Sequence, residues 1–185
     1  MAKLIYTAIT SVDGYIADRD AQFGWAVPDE ELHQFVNDLV RPAGTYLYGR
    51  RMFEVMQVWD DPGFAEGGTP AVQDFSQLWR KADKVVFSGT LEETTTARTR
   101  IERKFDPAAV RELKESASAD IEIGGAGLAA AAFAAGLVDD VHLFPAPVAV
   151  GGGTAALPDF RVDLELLHVG QFGSGFAHLH YRVRH

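Results

Sequence analysis

Leu4 to Thr10 is a run of apolar and β-branched residues, the pattern of a strand covered on both faces. Residues 11–27 break that pattern with Asp13-Gly14 and read as a loop. Pro28 then opens a helix with Asp29, Glu30 and Glu31 in its first turn, where the helix dipole favours acids. Leu32, Phe35, Val36, Leu39 and Val40 recur at helical spacing and form one apolar face. The pattern next predicts a strand over 45–48, a helix from Arg50 to about Trp59, an exposed loop over 60–70 and a short helix over 75–81. A buried strand over 84–88 and an edge strand over 98–103 follow. Asp106-Pro107 caps a helix to about Ser116, and 121–123 is a strand. The segment 128–135 reads as an alanine-rich helix and 138–144 as a strand. The chain then turns all-β: two strands, 164–172 and 176–184, flank Gly173-Ser174-Gly175 as a hairpin. In the second of them Ala177, Leu179, Tyr181 and Val183 share one face, and His178, His180, Arg182 and Arg184 the other.

Strands alternating with helices imply an α/β fold with a largely parallel sheet, and the terminal hairpin adds an antiparallel edge. No linker, repeat or low-complexity segment divides the 185 residues, which are expected to form one domain, 1–185, with a sizeable core. The net charge of −9 argues against nucleic-acid or anionic-membrane partners, which need a basic face. The absence of cysteine removes disulfides, thiolate metal sites and a cysteine nucleophile, and suits the cytoplasm. The N-terminus shows no signal-peptide layout, and the apolar run 124–138 is too short and glycine-rich to span a bilayer. A cytoplasmic location is the expectation.

Three strand ends carry candidate chemistry. In Tyr46-Leu47-Tyr48-Gly49-Arg50-Arg51-Met52, a strand meets a glycine and two arginines open a helix. Helix dipole and guanidiniums together suit a phosphate monoester, such as the 2′-phosphate of NADP. The same residues also read as a surface helix with two solvated arginines. Ile123-Gly124-Gly125-Ala126-Gly127-Leu128 again leads a strand into a helix, and its glycines let the backbone approach a pyrophosphate. It lacks the Rossmann spacing and is otherwise a tight turn. Phe87-Ser88-Gly89-Thr90 ends a third strand, where open α/β sheets line their ligand crevice, or simply caps a loop.

The ordered set Asp13-Gly14, Gly49-Arg50-Arg51, Ser88-Gly89-Thr90, Gly124 to Leu128 and Gly136-Leu137-Val138-Asp139-Asp140 resembles the dihydrofolate reductase-like superfamily. Within it, the chain is most similar to the RibD C-terminal domain, the reductase part of bifunctional riboflavin-biosynthesis enzymes, and its stand-alone bacterial relatives. The resemblance implies a three-layer α-β-α fold with a mixed eight-stranded sheet, NADPH as cofactor, and a homodimer. It places Gly49, Arg50 and Arg51 at the 2′-phosphate and pyrophosphate, Ser88, Gly89 and Thr90 at the adenosine half, and Gly124, Gly125, Ala126, Gly127 and Leu128 at the pyrophosphate. Met52 departs from the family's usual threonine. Folate reductases hold a cis peptide between the paired glycines, so Gly124–Gly125 is expected to be cis.

At the substrate end, Ser11-Val12-Asp13-Gly14 matches the riboflavin-type loop, and Asp13 reads either as a substrate or nicotinamide contact or as an ordinary turn. Glu31 aligns with the carboxylate that grips the pterin in folate reductases, or is a solvated first-turn acid. These two are the catalytic candidates. Trp25 and Phe35 read as stacking partners for a planar heterocycle or as plain core. His178 and His180 read as surface, and no metal site is expected. The implied activity is hydride transfer from NADPH to a small pterin- or pyrimidine-like molecule, the nearest named reaction being reduction of 5-amino-6-(5-phosphoribosylamino)uracil. A phosphoribosyl substrate needs its own anion site, for which Arg80 and Lys81 are the nearest cations. Dihydrofolate reduction, a non-catalytic NADP-binding module and a purely structural domain are the alternatives. The apolar segment 145–153 suits either a dimer interface or the substrate mouth.

Overall fold

The computed structural model describes residues 1–185. Strands β1 (Leu4–Ser11) and β2 (Tyr15–Ala17) precede helix α1 (Glu30–Val40). Then come β3 (Ala43–Gly49), α2 (Arg50–Met56), α3 (Pro62–Ala65), α4 (Pro70–Lys81), β4 (Asp83–Phe87) and β5 (Thr99–Glu102). The rest comprises α5 (Pro107–Ser116), β6 (Asp120–Gly124), α6 (Ala126–Ala134), β7 (Asp140–Ala146), β8 (Thr154–Ala155), β9 (Leu164–Gln171) and β10 (Ala177–Val183). Three of the longer helices start at side-chain caps: Asp29 accepts from Leu32 N, Thr69 from Val72 N and Asp106 from Ala108 N. The α6 helix alone of the four has no capping side chain, so its first-turn amides are left for another partner.

Eight strands form one mixed sheet in the order β5-β4-β3-β6-β1-β7-β10-β9. The first six are parallel, and β10 and β9 add an antiparallel margin. One face is apolar. Leu4, Tyr6, Leu47, Val85, Ile121, Ile123 and Val141 pack there under α5 and α6 through Val110, Ala129, Ala132 and Phe133. The other face lies under α1 and α4. It buries Tyr46, Tyr48 and Val86 against Val40, Phe75 and Trp79, and Phe144 against Leu32. These are the three layers the resemblance implies. No helix is long and apolar enough to cross a membrane.

Several boundaries move, for physical reasons. The α4 helix begins at Pro70, not near 75, because Thr69 caps it and proline suits its first turn. The loop over 60–70 contains the short α3. The helix at Arg50 gives way after Met56 to a 3-10 turn over Gln57–Asp60. A two-stranded sheet, β2 with β8, was not signalled, since strands of three and two residues show no periodicity. The peptide bond Gly124–Gly125 is trans, against expectation: every peptide bond in the chain is trans. The turn is made instead at Gly125, whose φ of +93° only glycine adopts cheaply.

Candidate active site

In a parallel sheet the C-terminal strand ends share one edge, so sheet order decides which loops meet. Here β4, β3 and β6 are consecutive, with Gly49 level with Phe87 and Tyr48 level with Gly124. All three motifs therefore lie side by side. Arg50 Nη1 donates to Thr90 Oγ1 at 2.7 Å, tying the β3 loop to the β4 loop. Its Nε donates to Glu54 Oε1 at 2.7 Å, one turn along α2. Arg51 is exposed beside it. Ser88 Oγ accepts from Leu91 N at 2.9 Å and from Thr90 N at 3.3 Å, so its hydroxyl shapes the loop.

The residues present fit a dinucleotide. A side chain built on Gly89 or Gly127 would meet nothing within 4 Å, so the backbone there faces open space. The uncapped α6 turn adds amides from Ala126, Gly127 and Leu128. Gly49, Gly124 and Gly125 pack inward instead: a Cβ on Gly124 would lie 2.7 and 2.9 Å from the Tyr48 ring, and one on Gly125 3.2 Å from Met52 Cβ. Met52 thus wedges α2 against the turn that starts α6. Because Tyr48 is buried and its hydroxyl accepts from Trp79 Nε1 at 3.2 Å, it cannot swing away. Gly124→Ala is expected to cost about 1–3 kcal/mol of stability. A thermal melt within about 0.5 kcal/mol of the parent would show that the turn tolerates a methyl group.

The loops that the sequence offers as a substrate end lie beyond β1 and β7. Asp13 does more than terminate a turn. Its carboxylate accepts from Val150 N at 3.1 Å and Gly151 N at 2.7 Å, pinning the β1 loop to the glycine-rich loop after β7. Its hydrogen bonds, from Ser11 first, hold the carboxyl below the usual range. Segment 145–153 therefore runs from the end of β7 into the partner of the substrate loop. Glu31 Oε2 accepts from Gly173 N at 3.2 Å, joining α1 to the β9–β10 hairpin. Phe35 packs edge-on against Phe144, Phe172 and His178, with ring centroids 5.0–6.1 Å apart, yet remains 37% exposed. Trp25 joins the same cluster, and its Nε1 is buried without a partner.

Three features escaped the sequence. His178 is not on the surface but 3% exposed, stacked on Phe144 at 4.7 Å and bonded through Nε2 to His142 Nδ1 at 2.9 Å. The reason is that β10 is an interior strand whose polar face is roofed by Phe35 of α1. His142 stacks in turn on His180 at 4.0 Å. Burial keeps His142 and His178 neutral, pushing their pKa values down to about 3 and about 4. Glu122, two residues before the Gly124 turn, is 4% exposed with Oε1 unpaired, and burial pushes its carboxyl up to about 8. Arg103, just past β5, donates to Leu91 O at 2.6 Å and braces the Ser88–Leu91 turn. Its place at a strand's C-terminal end was the available signal. Arg80 and Lys81 lie away from the loops after β1 and β7. They close α4, which delivers the chain to the start of β4 at the opposite edge of the sheet.

Comparison with known proteins agrees with this architecture. Bacillus subtilis (strain 168) has an uncharacterized protein, YyaP, 26% identical over 182 residues, covering 97% of this chain and 94% of its own. A Shewanella sp. PV-4 protein attributed to riboflavin biosynthesis has the same fold, with TM-score 0.76, 18% identity and full coverage of both chains. A Thermotoga maritima diaminohydroxyphosphoribosylaminopyrimidine deaminase/5-amino-6-(5-phosphoribosylamino)uracil reductase matches with TM-score 0.68 and 15% identity over 99% of this chain and 57% of its own. Residues 2–178 match the RibD C-terminal domain, and the chain belongs to that family.

Proposed function

We propose that the protein is an NADPH-dependent reductase that passes a hydride to a small pyrimidine- or pterin-like ring. The carrying observation is the meeting of Arg50, Thr90 and the uncapped α6 turn on adjacent strand ends. Gly49, Arg50 and Arg51 would hold the 2′-phosphate, with Ser88, Gly89 and Thr90 along the adenosine half. Amides of Gly125 to Leu128 would hold the pyrophosphate. The bound nicotinamide supplies the hydride, and the protein's part is to orient two rings and exclude water. Asp13 acts as a positioning residue through the loop at Gly151. Glu31, with one oxygen on Gly173, offers the other to a ring N–H, and Trp25 and Phe35 flank that ring. Membership of a family with reductase members supports this reading.

The chain is read as a single domain working in the cytoplasm. A homodimer would use the free edge of β9, where Leu166 and Val169 are more than half exposed. Titrating the tryptophan fluorescence with each nucleotide tests the cofactor. NADPH is expected to bind at least about tenfold tighter than NADH, since charge-assisted bonds to one phosphate are worth about 1.5–3 kcal/mol each. Equal binding of both would remove the 2′-phosphate from the reading, and binding of neither would end it.

A further inference from the structure

We infer that the molecule reduced here carries no phosphate and is a neutral or cationic planar ring. This rests on the reductase reading above and concerns its substrate end. That end is bounded by the segment after β1, the first turn of α1, the loop after β7 and the β9–β10 hairpin. Charge there is one-sided. The segments contribute Asp13, Asp18, Asp20, Asp29, Glu30 and Glu31 against a single cation, Arg19. The β7 loop over 146–157 and the hairpin over 172–176 contribute no charge.

Five of these six acids are held in place by backbone amides. Asp13 accepts two amides, Asp18 accepts from Asp20 N and Gln22 N, Asp29 caps α1, Glu30 accepts from Ala71 N at 3.0 Å and Glu31 from Gly173 N. Arg19 is not free to answer them. Its Nη2 donates to Gly151 O at 2.8 Å, and its guanidinium lies so close over Gly152 that a Cβ there would be 2.6 Å from Nε. The other nearby cations are committed elsewhere. Arg50 and Arg51 face the cofactor half, and Arg80 and Lys81 lie at the far edge of the sheet. A phosphate dianion at the substrate end would meet several like charges with no free guanidinium to bind it.

The remaining surface favours an uncharged, flat ligand. Val12 and Val27 are 65% and 71% exposed, and Phe23 and Phe35 are also open to solvent. An apolar lip of this kind around a recessed aromatic cluster is what a planar ring would cover. Inside the cluster two polar atoms are buried without partners, Trp25 Nε1 and Nδ1 of the fully packed His178. Of the two, Trp25 Nε1, a donor on a residue only part-buried, is the group a ring carbonyl would satisfy.

The test uses the intact protein saturated with NADPH. Two probes are compared by tryptophan fluorescence: 5-amino-6-(5-phosphoribosylamino)uracil and the same compound with the phosphate removed enzymatically. The dephosphorylated compound is expected to bind at least about tenfold tighter, with the gap narrowing as salt rises from about 0.05 to 0.5 M. Asp20→Asn/Glu30→Gln, at two acids that do not hold the ring, is expected to improve the phosphorylated probe severalfold and leave the other unchanged. Tighter binding of the phosphorylated probe, or binding of neither to the NADPH-loaded protein, would overturn the inference. Failure of NADPH itself to bind would strike the reductase reading instead, so the two outcomes are separable.

Discussion

Arg50→Ala/Arg51→Ala is expected to weaken NADPH binding by about 30- to 1,000-fold and to leave NADH binding within about threefold, because it deletes charge-assisted bonds to one phosphate totalling about 2–4 kcal/mol. The figure sits at the low end for two arginines for a structural reason. Arg50 already spends Nε on Glu54 and Nη1 on Thr90, so each bidentate edge of its guanidinium has one donor engaged. A phosphate must displace one of these partners or accept a single bond. Arg51 carries no such commitment and is expected to supply the larger share. The same geometry predicts the opposite sign for Glu54→Gln. Removing one negative charge beside a phosphate should tighten NADPH about fivefold at low salt, with the gain fading as ionic strength rises. Single and double variants titrated with both nucleotides give the full set. If the double variant loses NADH as strongly as NADPH, the arginines hold the fold of the turn and not the phosphate.

Stability is expected to peak near pH 6.5 and fall on both sides, for opposite reasons. His142 and His178 have lowered pKa values in the fold, so below about 6.5 the unfolded chain binds protons that the folded one refuses. Each contributes up to about 1.4 kcal/mol of lost stability per pH unit on the acid side. Glu122 works the other way. Its folded pKa is raised, so between about 4.5 and 8 the folded state keeps a proton that the unfolded state releases, and stability drains away as pH rises. From pH 5 to 8 that loss is about 2–4 kcal/mol for a carboxyl this deeply buried. Glu122→Gln keeps the shape and removes the ionisation. Urea unfolding at pH 5, 6.5 and 8 should show a parent that weakens above 6.5 and a variant that does not. Parallel profiles would mean that Glu122 is solvated and charged in the native protein.

Much of this could be read from the chain before its fold was known. The apolar face of α1 and its Asp29 cap, the edge position of β5 and the three glycine-bearing strand ends all follow from local spacing and capping chemistry. What could not be read depends on the second layer. In β10, alternating Leu and His looks like a strand with one wet face, yet α1 covers that face, and a neutral imidazole packs there as an aromatic ring. Glu122 between two isoleucines carries the same ambiguity, and only the burial of both faces of a parallel sheet resolves it. The role of Asp13 was illegible for another reason: its partners lie 137 and 138 residues away, beyond any local pattern.

The place of β1 also bears on how the molecule is made. It is central, yet it bonds on one side to a strand about 117 positions on and on the other to one about 135 on. Closing loops of that length costs entropy before any ladder rewards it, so local units such as β3-α4-β4 and the β9–β10 hairpin have the shorter search. The middle of the sheet is then the last part to zip, and folding is expected on the slow, millisecond-to-second scale of chains rich in distant pairings. Until β1 inserts, β6 and β7 present bare edges. Crowded refolding should therefore lose material to self-association more readily than dilute refolding.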